Sequence, residues 1–202
     1  MKLYYSRGAC SLASHIVLHE ADLPAELEKV DLKTKTSHDG GDFTKVNPNG
    51  YVPVLQLDDG QFLTENDAIL QYLADLKPQS GLAPAAGTLA RYRLMEWLSF
   101  ISSELHKGYS PLFAPTTPEE YKATVKNKLT QRLGYVDRAL AGSDYLLGNT
   151  FTVADAYLFV VLSWSRATHV DLTAFANLQA FQQRVAHRPA VHAAMLAEGL
   201  VK

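Results

Sequence analysis

Strand patterns occur only in the first 77 residues of this 202-residue chain. No other feature restricts the fold as much, because a sheet must be built from that N-terminal stretch alone and helices must account for the remainder. KLYY, at residues 2–5, reads as a first strand. SLASHIVLHEA reads as a helix: Leu12, Ile16 and His19 recur at helical spacing, as do Ala13, Val17 and Ala21. ELEKVDL alternates as a second strand, and DFTKVNPNG is a short helical turn closed by Asn, Pro and Gly. VPVLQLDDGQFLTE holds two short strands about an Asp-Gly turn. The stripe Ala68, Ile69, Tyr72, Leu73 and Leu76 then makes a helix stopped by Pro78. The predicted order is βαβα, then ββα.

KPQSGLAPAAG is rich in Pro, Gly and small residues and reads as a linker over 78–87. Beyond it the periodicity predicts helices at about 88–112, 119–141, 153–168, 174–187 and 189–197. The expected organisation is a mixed domain over 1–77 and an all-α domain over 88–202. Thr152 with Asp155 has capping-box spacing at the start of the 153–168 helix, which is a structural signal.

With 47% hydrophobic and 20% charged residues, the chain has the composition of a soluble globular protein. A net charge of −2 offers no basic excess for nucleic acid or an anionic membrane. No apolar run is long enough to span a bilayer, and no signal-like segment precedes KLYY. The expected location is cytoplasmic. One cysteine, Cys10, cannot form an internal disulfide, which suits a reducing compartment or a thiol kept for chemistry.

Cys10 stands between the first strand and the first helix. It is either a small buried hydrophobe or a thiol activated by the free N–H groups and positive dipole end of that helix. Arg7 and Ser11 are local donors. In Cys10-Ser11-Leu12-Ala13 the second cysteine of a dithiol pair is replaced by Ala13, so dithiol redox chemistry within one chain is excluded. A mixed disulfide with a small external thiol fits this limit.

Three further features bear on a site. In NPNGYVPVL, Pro53 stands where an extended segment becomes a strand; it is either an ordinary turn proline or one that turns the Val52 backbone outward to pair with an extended ligand. In Thr64-Glu65-Asn66-Asp67, Thr64 and Asp67 have capping-box spacing. Glu65 and Asn66 in the first turn either complement the dipole or receive the zwitterionic head of an amino acid. In RYRLMEWLSFISSELHKGY the face opposite Leu94, Trp97, Leu98, Ile101 and Leu105 carries Tyr92, Glu96, Ser99, Ser103 and His106. Such a face is either solvated or suited to lining a cleft, where His106 can donate to a thiolate or carboxylate. The other histidines show no metal-ligand spacing, so no metal is expected.

Together these features resemble the glutathione transferases, over essentially the whole chain. The segments that carry the resemblance are YSRGACS from Tyr5, NPNGYVPVL from Asn47, LTEN from Leu63 and FTVADA from Phe151. Cysteine at position 10 with His106 on the first helix of the second domain resembles the bacterial beta class. The resemblance implies an α/β plus all-α fold: a thioredoxin-like βαβ-ββα domain that binds glutathione, then a helical domain forming the electrophile pocket.

By that resemblance, Pro53 is cis and Val52 pairs the cysteinyl part of glutathione. Glu65 and Asn66 take the γ-glutamyl end, Lys35 the glycyl carboxylate, and Cys10 and His106 the sulfur. Ser99 lies on the binding face, and Ser103 lies near the glutathione of the partner in a homodimer. Asn66 replaces a serine common in the family, and Ser99 an asparagine frequent in the class. Tyr5 also lies near the thiol, where other classes use a tyrosine, but Cys10 holds the helix start. Tyr109, Phe113 and Trp164 are aromatic candidates for the electrophile pocket. The implied activity is conjugation of the glutathione thiolate to small hydrophobic electrophiles, with thiol transfer through a Cys10–glutathione disulfide as a related activity. The alternatives are a non-catalytic binder of glutathione and hydrophobic ligands and, less favoured by the residues present, an interaction protein of the same fold.

Overall fold

Five short strands form one sheet in the computed structural model, which describes residues 1–202. They are β1 (Lys2–Tyr5), β2 (Glu26–Asp31), β3 (Thr36–Ser37), β4 (Val54–Gln56) and β5 (Phe62–Thr64), in spatial order β3-β2-β1-β4-β5. β1 and β2 are parallel, joined by helix α1 (Ser11–Glu20); the other pairs are antiparallel. Leu3 pairs with Leu55 and Tyr4 with Val54, so successive residues of β1 and β4 serve opposite faces. Tyr4 and Val54 join Val30, Phe43 and Val52 in one buried cluster. Helices α1 and α2 (Asn66–Leu76) pack against the sheet and each other. The β4–β5 hairpin turns at Asp58-Asp59-Gly60, as the Asp-Gly pattern predicts; Gly60 has φ +85°, the left-handed region that glycine enters at no steric cost. β3, only two residues long, is too short to show as a sequence pattern.

The chain divides into two compact units, Met1–Ala83 with His187–Lys202, and Pro84–Ala186. The last helix, α8 (Pro189–Ala197), packs on α1 and buries Val191 and Ala194 completely. Arg188 makes a bidentate pair with Glu20 at 2.6 and 2.8 Å. Residues 187–202, grouped by periodicity with the helical domain, therefore complete the sheet-bearing unit. Periodicity identifies a helix but not its partner.

The second unit is helical, as predicted. α3 (Leu89–Phe100) runs through a π-helical turn (Ile101–His106) into α4 (Lys107–Phe113); α5 (Glu119–Ala139), α6 (Val153–Thr168) and α7 (Ala176–Ala186) come after it. Leu94, Leu98, Ile101, Leu105 and Tyr109 form a buried line along α3, the π turn and α4. α6 is the core element, buried at every position from Val153 to Leu162. The Asp155 carboxylate accepts from the Thr152 N–H (2.8 Å), the Thr152 hydroxyl (2.9 Å) and the Leu146 N–H (2.9 Å), so the expected Thr152/Asp155 cap is in place and also ties down the preceding loop. No helix is long and apolar enough to cross a membrane.

Candidate active site

The thiol is held by a short loop. After β1 the chain turns through Ser6–Ala9, with Gly8 at φ +67°, and enters α1 at Cys10. Ser11 closes the loop: its hydroxyl donates to the Ser6 carbonyl (3.3 Å) and accepts from the Ser6 N–H (3.2 Å). The end of α8 closes it from the other side. The Glu198 carboxylate accepts from the Gly8 N–H (2.8 Å) and lies 3.1 Å from His15 Nδ1, and the Arg7 guanidinium donates to the Gly199 carbonyl. Glu198 and His15 are both buried, and sequence reasoning missed their role. The one available signal was a histidine within an otherwise apolar or small run, SLASHIVL.

Cys10 is 8% exposed, and its Sγ donates to the Val52 carbonyl at 3.3 Å. Cys10 is the N-cap residue of α1, but its sulfur makes no capping bond: the Leu12 and Ala13 N–H groups are taken by the Ala9 and Cys10 carbonyls. The donors expected for the sulfur at the helix start are therefore partly engaged, while its place at the positive end of the dipole stands. The Val52–Pro53 peptide is cis, and both residues are buried. Asn47 braces this segment, its amide donating to the Tyr51 carbonyl at 2.8 Å. Lys35, at φ +59°, donates its ammonium to the Gly50 carbonyl at 2.9 Å.

At α2 the structure corrects the expected cap. Glu65, exposed and at φ +66°, is the N-cap rather than Thr64, which ends β5; no side chain caps the helix. Asp67 does not reach back to Thr64: its Oδ1 is buried without a hydrogen-bond partner. Burial, and secondarily the nearby Glu65, push the Asp67 carboxyl up to about 6. Asn66 is buried, its Oδ1 accepting from the Ser14 hydroxyl at 2.8 Å and its Nδ2 without a partner. Ser14 lies four residues after Cys10, on the same face of α1. Cys10, Val52 and Asn66 thus converge on that face, with Glu65 beside them.

In the second unit the serines and the histidine part company. Ser99 and Ser103 are exposed, the Ser103 hydroxyl donating to the Ser99 carbonyl at 2.8 Å. Ser99 precedes the π turn whereas Ser103 and His106 lie within it, and one extra residue per turn shifts the helix face by roughly 100° relative to regular α-helical spacing. His106 consequently meets α6, with Nδ1 2.6 Å from the Tyr157 hydroxyl and its ring edge-on to Trp164 at 4.9 Å between centroids. Burial, and to a lesser degree Lys107, push its pKa down to about 4, so the ring is neutral at pH 7. Trp164 gathers the aromatic candidates: Phe113 and Tyr109 meet it edge-on at 5.7 and 6.1 Å. Phe113 is half exposed, whereas Tyr109 is fully buried and bonded to the Ser165 hydroxyl at 2.6 Å, so Tyr109 backs Trp164 from within the core. No group of three or more His, Cys, Asp or Glu is placed to hold a metal ion.

Comparison with known proteins decides the family. Residues 8–76 match the family model for the glutathione S-transferase N-terminal domain, and residues 100–189 that for the C-terminal domain. The chain belongs to the glutathione S-transferase family. It is 50% identical to glutathione S-transferase GstA of Escherichia coli O157:H7, over 99% of this chain and 100% of that one. Among solved structures it resembles a sphingomonad glutathione S-transferase complexed with glutathione (51% identity, TM-score 0.96, 100% of both chains). It also resembles the bacterial beta-class enzyme of Sphingomonas chungbukensis (49% identity, TM-score 0.97, 100% of both chains). The family inferred from YSRGACS, NPNGYVPVL, LTEN and FTVADA, and the class inferred from Cys10 with His106, are those found.

Proposed function

We propose that this glutathione transferase binds glutathione along the first unit and conjugates its thiolate to small hydrophobic electrophiles, forming a carbon–sulfur bond as the leaving group departs. The observation that carries the reading is the convergence on α1: a thiol bonded to the Val52 carbonyl, and four residues on a contact to Asn66, whose buried amide N–H has no partner. A buried donor left unbonded costs roughly 1–3 kcal/mol, and a ligand carboxylate would satisfy it. In this assignment Glu65 and Asn66 take the γ-glutamyl zwitterion, Val52 beside Pro53 takes the cysteinyl backbone, and Lys35 takes the glycyl carboxylate. An ammonium has three donors, so the bond to Gly50 leaves Lys35 able to do so. Cys10 and His106 serve the glutathione sulfur; Phe113 and Trp164 offer aromatic surface to the electrophile, with Tyr109 behind them. Ser99 and Ser103 lie on an exposed face that we assign to a homodimer, and a thiol co-substrate favours a reducing cytoplasm.

Cys10 also suits covalent exchange: its thiolate attacks oxidised glutathione, forming the mixed disulfide and releasing one glutathione thiolate. Intact mass after incubation with oxidised glutathione is expected to rise by one glutathionyl group, and Cys10→Ala is expected to abolish the gain. Cys10→Ser is expected to lose disulfide exchange while keeping measurable conjugation. An unmodified wild-type chain that is retained on glutathione resin would leave binding standing and remove the covalent role.

A further inference from the structure

His106 has one ring nitrogen committed within its own unit, and the partner decides which proton the ring carries. We propose that Tyr157 is a positioning residue for the transferase reaction: its hydroxyl donates to His106 Nδ1 and holds the ring in the neutral tautomer with its proton on Nε2. The proposal rests on the reading in which His106 serves the glutathione sulfur.

The geometry comes from two elements. The π turn ends at His106 and turns its ring onto α6. Tyr157 lies on the first turns of α6, two residues beyond the Asp155 cap, and is 1% exposed. The cap fixes the start of α6, so the phenol hydroxyl has a set position. At 2.6 Å the pair is a short hydrogen bond, and the rings meet edge-on at 88°.

The direction of this bond follows from acidity. A phenol O–H, with a pKa near ~10, is a far stronger donor than a neutral imidazole N–H, and an imidazole nitrogen, whose conjugate acid has a pKa near ~6.5, is a far stronger acceptor than a phenol oxygen. O–H···N is therefore favoured over N–H···O, and the neutral ring bears its hydrogen on Nε2. Burial supports the neutral form, since it places the pKa of His106 at about 4. The edge-on Trp164 ring limits rotation of the imidazole.

The consequence is chemical. A neutral ring with Nδ1 occupied and Nε2 protonated can donate to a thiolate but has no lone pair with which to accept a thiol proton. His106 then acts as a hydrogen-bond donor to the glutathione sulfur and not as a general base, and the thiol proton leaves to solvent.

The test uses full-length protein labelled with ¹⁵N-histidine at pH 7, with His106→Gln assigning the ring. Two-bond ¹H–¹⁵N spectra are expected to show His106 as the Nε2–H tautomer in wild type and as a mixture of tautomers in Tyr157→Phe. That variant is expected to lose about tenfold in kcat, with KM for glutathione within about twofold, by analogy with the outer-shell partners of metal-bound histidines, whose loss costs about 10–100-fold. A wild-type ring protonated on Nδ1 would overturn the assignment and leave the role of His106 standing. Full turnover in His106→Gln, with the tautomer as stated, would overturn that role and leave the hydrogen bond standing. Should Tyr157→Phe not fold, the wild-type spectrum alone decides the tautomer.

Discussion

Two single residues give the protein opposed responses to pH in one window. Asp67 keeps its proton to about 6 when folded, against 3.8 as a free side chain. Between those values the folded state binds more protons than the unfolded, so the Asp67 contribution falls as pH rises. His106 behaves oppositely: unfolded chains charge it below 6.5, but the folded protein resists until about 4. There the unfolded state binds more protons, and the His106 contribution is lost as pH falls through that window. The two slopes cancel in part in the wild type, and single variants separate them. Asp67→Asn is expected to stabilise the fold by about 1 kcal/mol at pH 7, allowing for partial solvent exposure, and by nothing near pH 4. His106→Gln is expected to lessen the loss of stability between pH 6.5 and 4. Urea unfolding across the range from pH 4 to pH 7 measures both; a pH-independent gain in Asp67→Asn would show that Asp67 ionises normally.

At the scale of elements, the legible part of the sequence was whatever has a local cause. The hairpin arises from Asp59-Gly60 and the cap of α6 from Thr152 and Asp155. The helices fall close to where periodicity put them. The π turn has no local signature, and it moved His106 off the serine face. The start of α2 was misread because Glu65 adopts a left-handed backbone that Thr64-x-x-Asp67 spacing cannot reveal. Of the candidate site, Cys10, Val52 and Asn66 do converge on one face of α1, while Glu198 and His15 were invisible because their pairing spans 183 residues. Two helical glycines test the packing behind the π turn. A Cβ on Gly108 of α4 would lie 2.8 Å from Leu129 Cδ2 of α5, and Leu129 is itself buried. On Gly134 a Cβ would meet only ordinary contacts at 3.5 Å. Gly108→Ala is therefore expected to destabilise by about 1–2 kcal/mol despite better helix propensity, and Gly134→Ala to stabilise by up to about 1 kcal/mol. Thermal melts of the two side by side check the sign; a stabilised Gly108→Ala would mean that α4 and α5 separate without cost.

At the scale of the molecule, the chain's last helix completes the unit that its first residues begin. α1 is buried continuously from Ser11 to Leu18, which a helix packed on one sheet face alone would not be; α2 and α8 cover the rest. The same α8 end supplies Glu198, whose carboxylate holds Gly8 in the loop before Cys10. Stability of the sheet-bearing unit and geometry of the thiol loop therefore depend on one distant segment. Deleting residues 187–202 uncovers part of α1 and removes the Arg188–Glu20 pair and both partners of the loop. The truncated protein is expected to lose cooperative unfolding and retention on glutathione resin, whereas deleting Lys202 alone should change neither. Glu198→Ala separates the two roles, because it leaves α8 in place. It removes the carboxylate that accepts from the Gly8 N–H and the buried partner of His15, and is expected to cost about 3 kcal/mol. In that variant the Cys10 loop should loosen, read as faster backbone hydrogen exchange at Gly8 through Ser11 than elsewhere in α1. Uniformly faster exchange along α1 would instead mean that Glu198 supports the packing of the whole helix and has no particular hold on the loop.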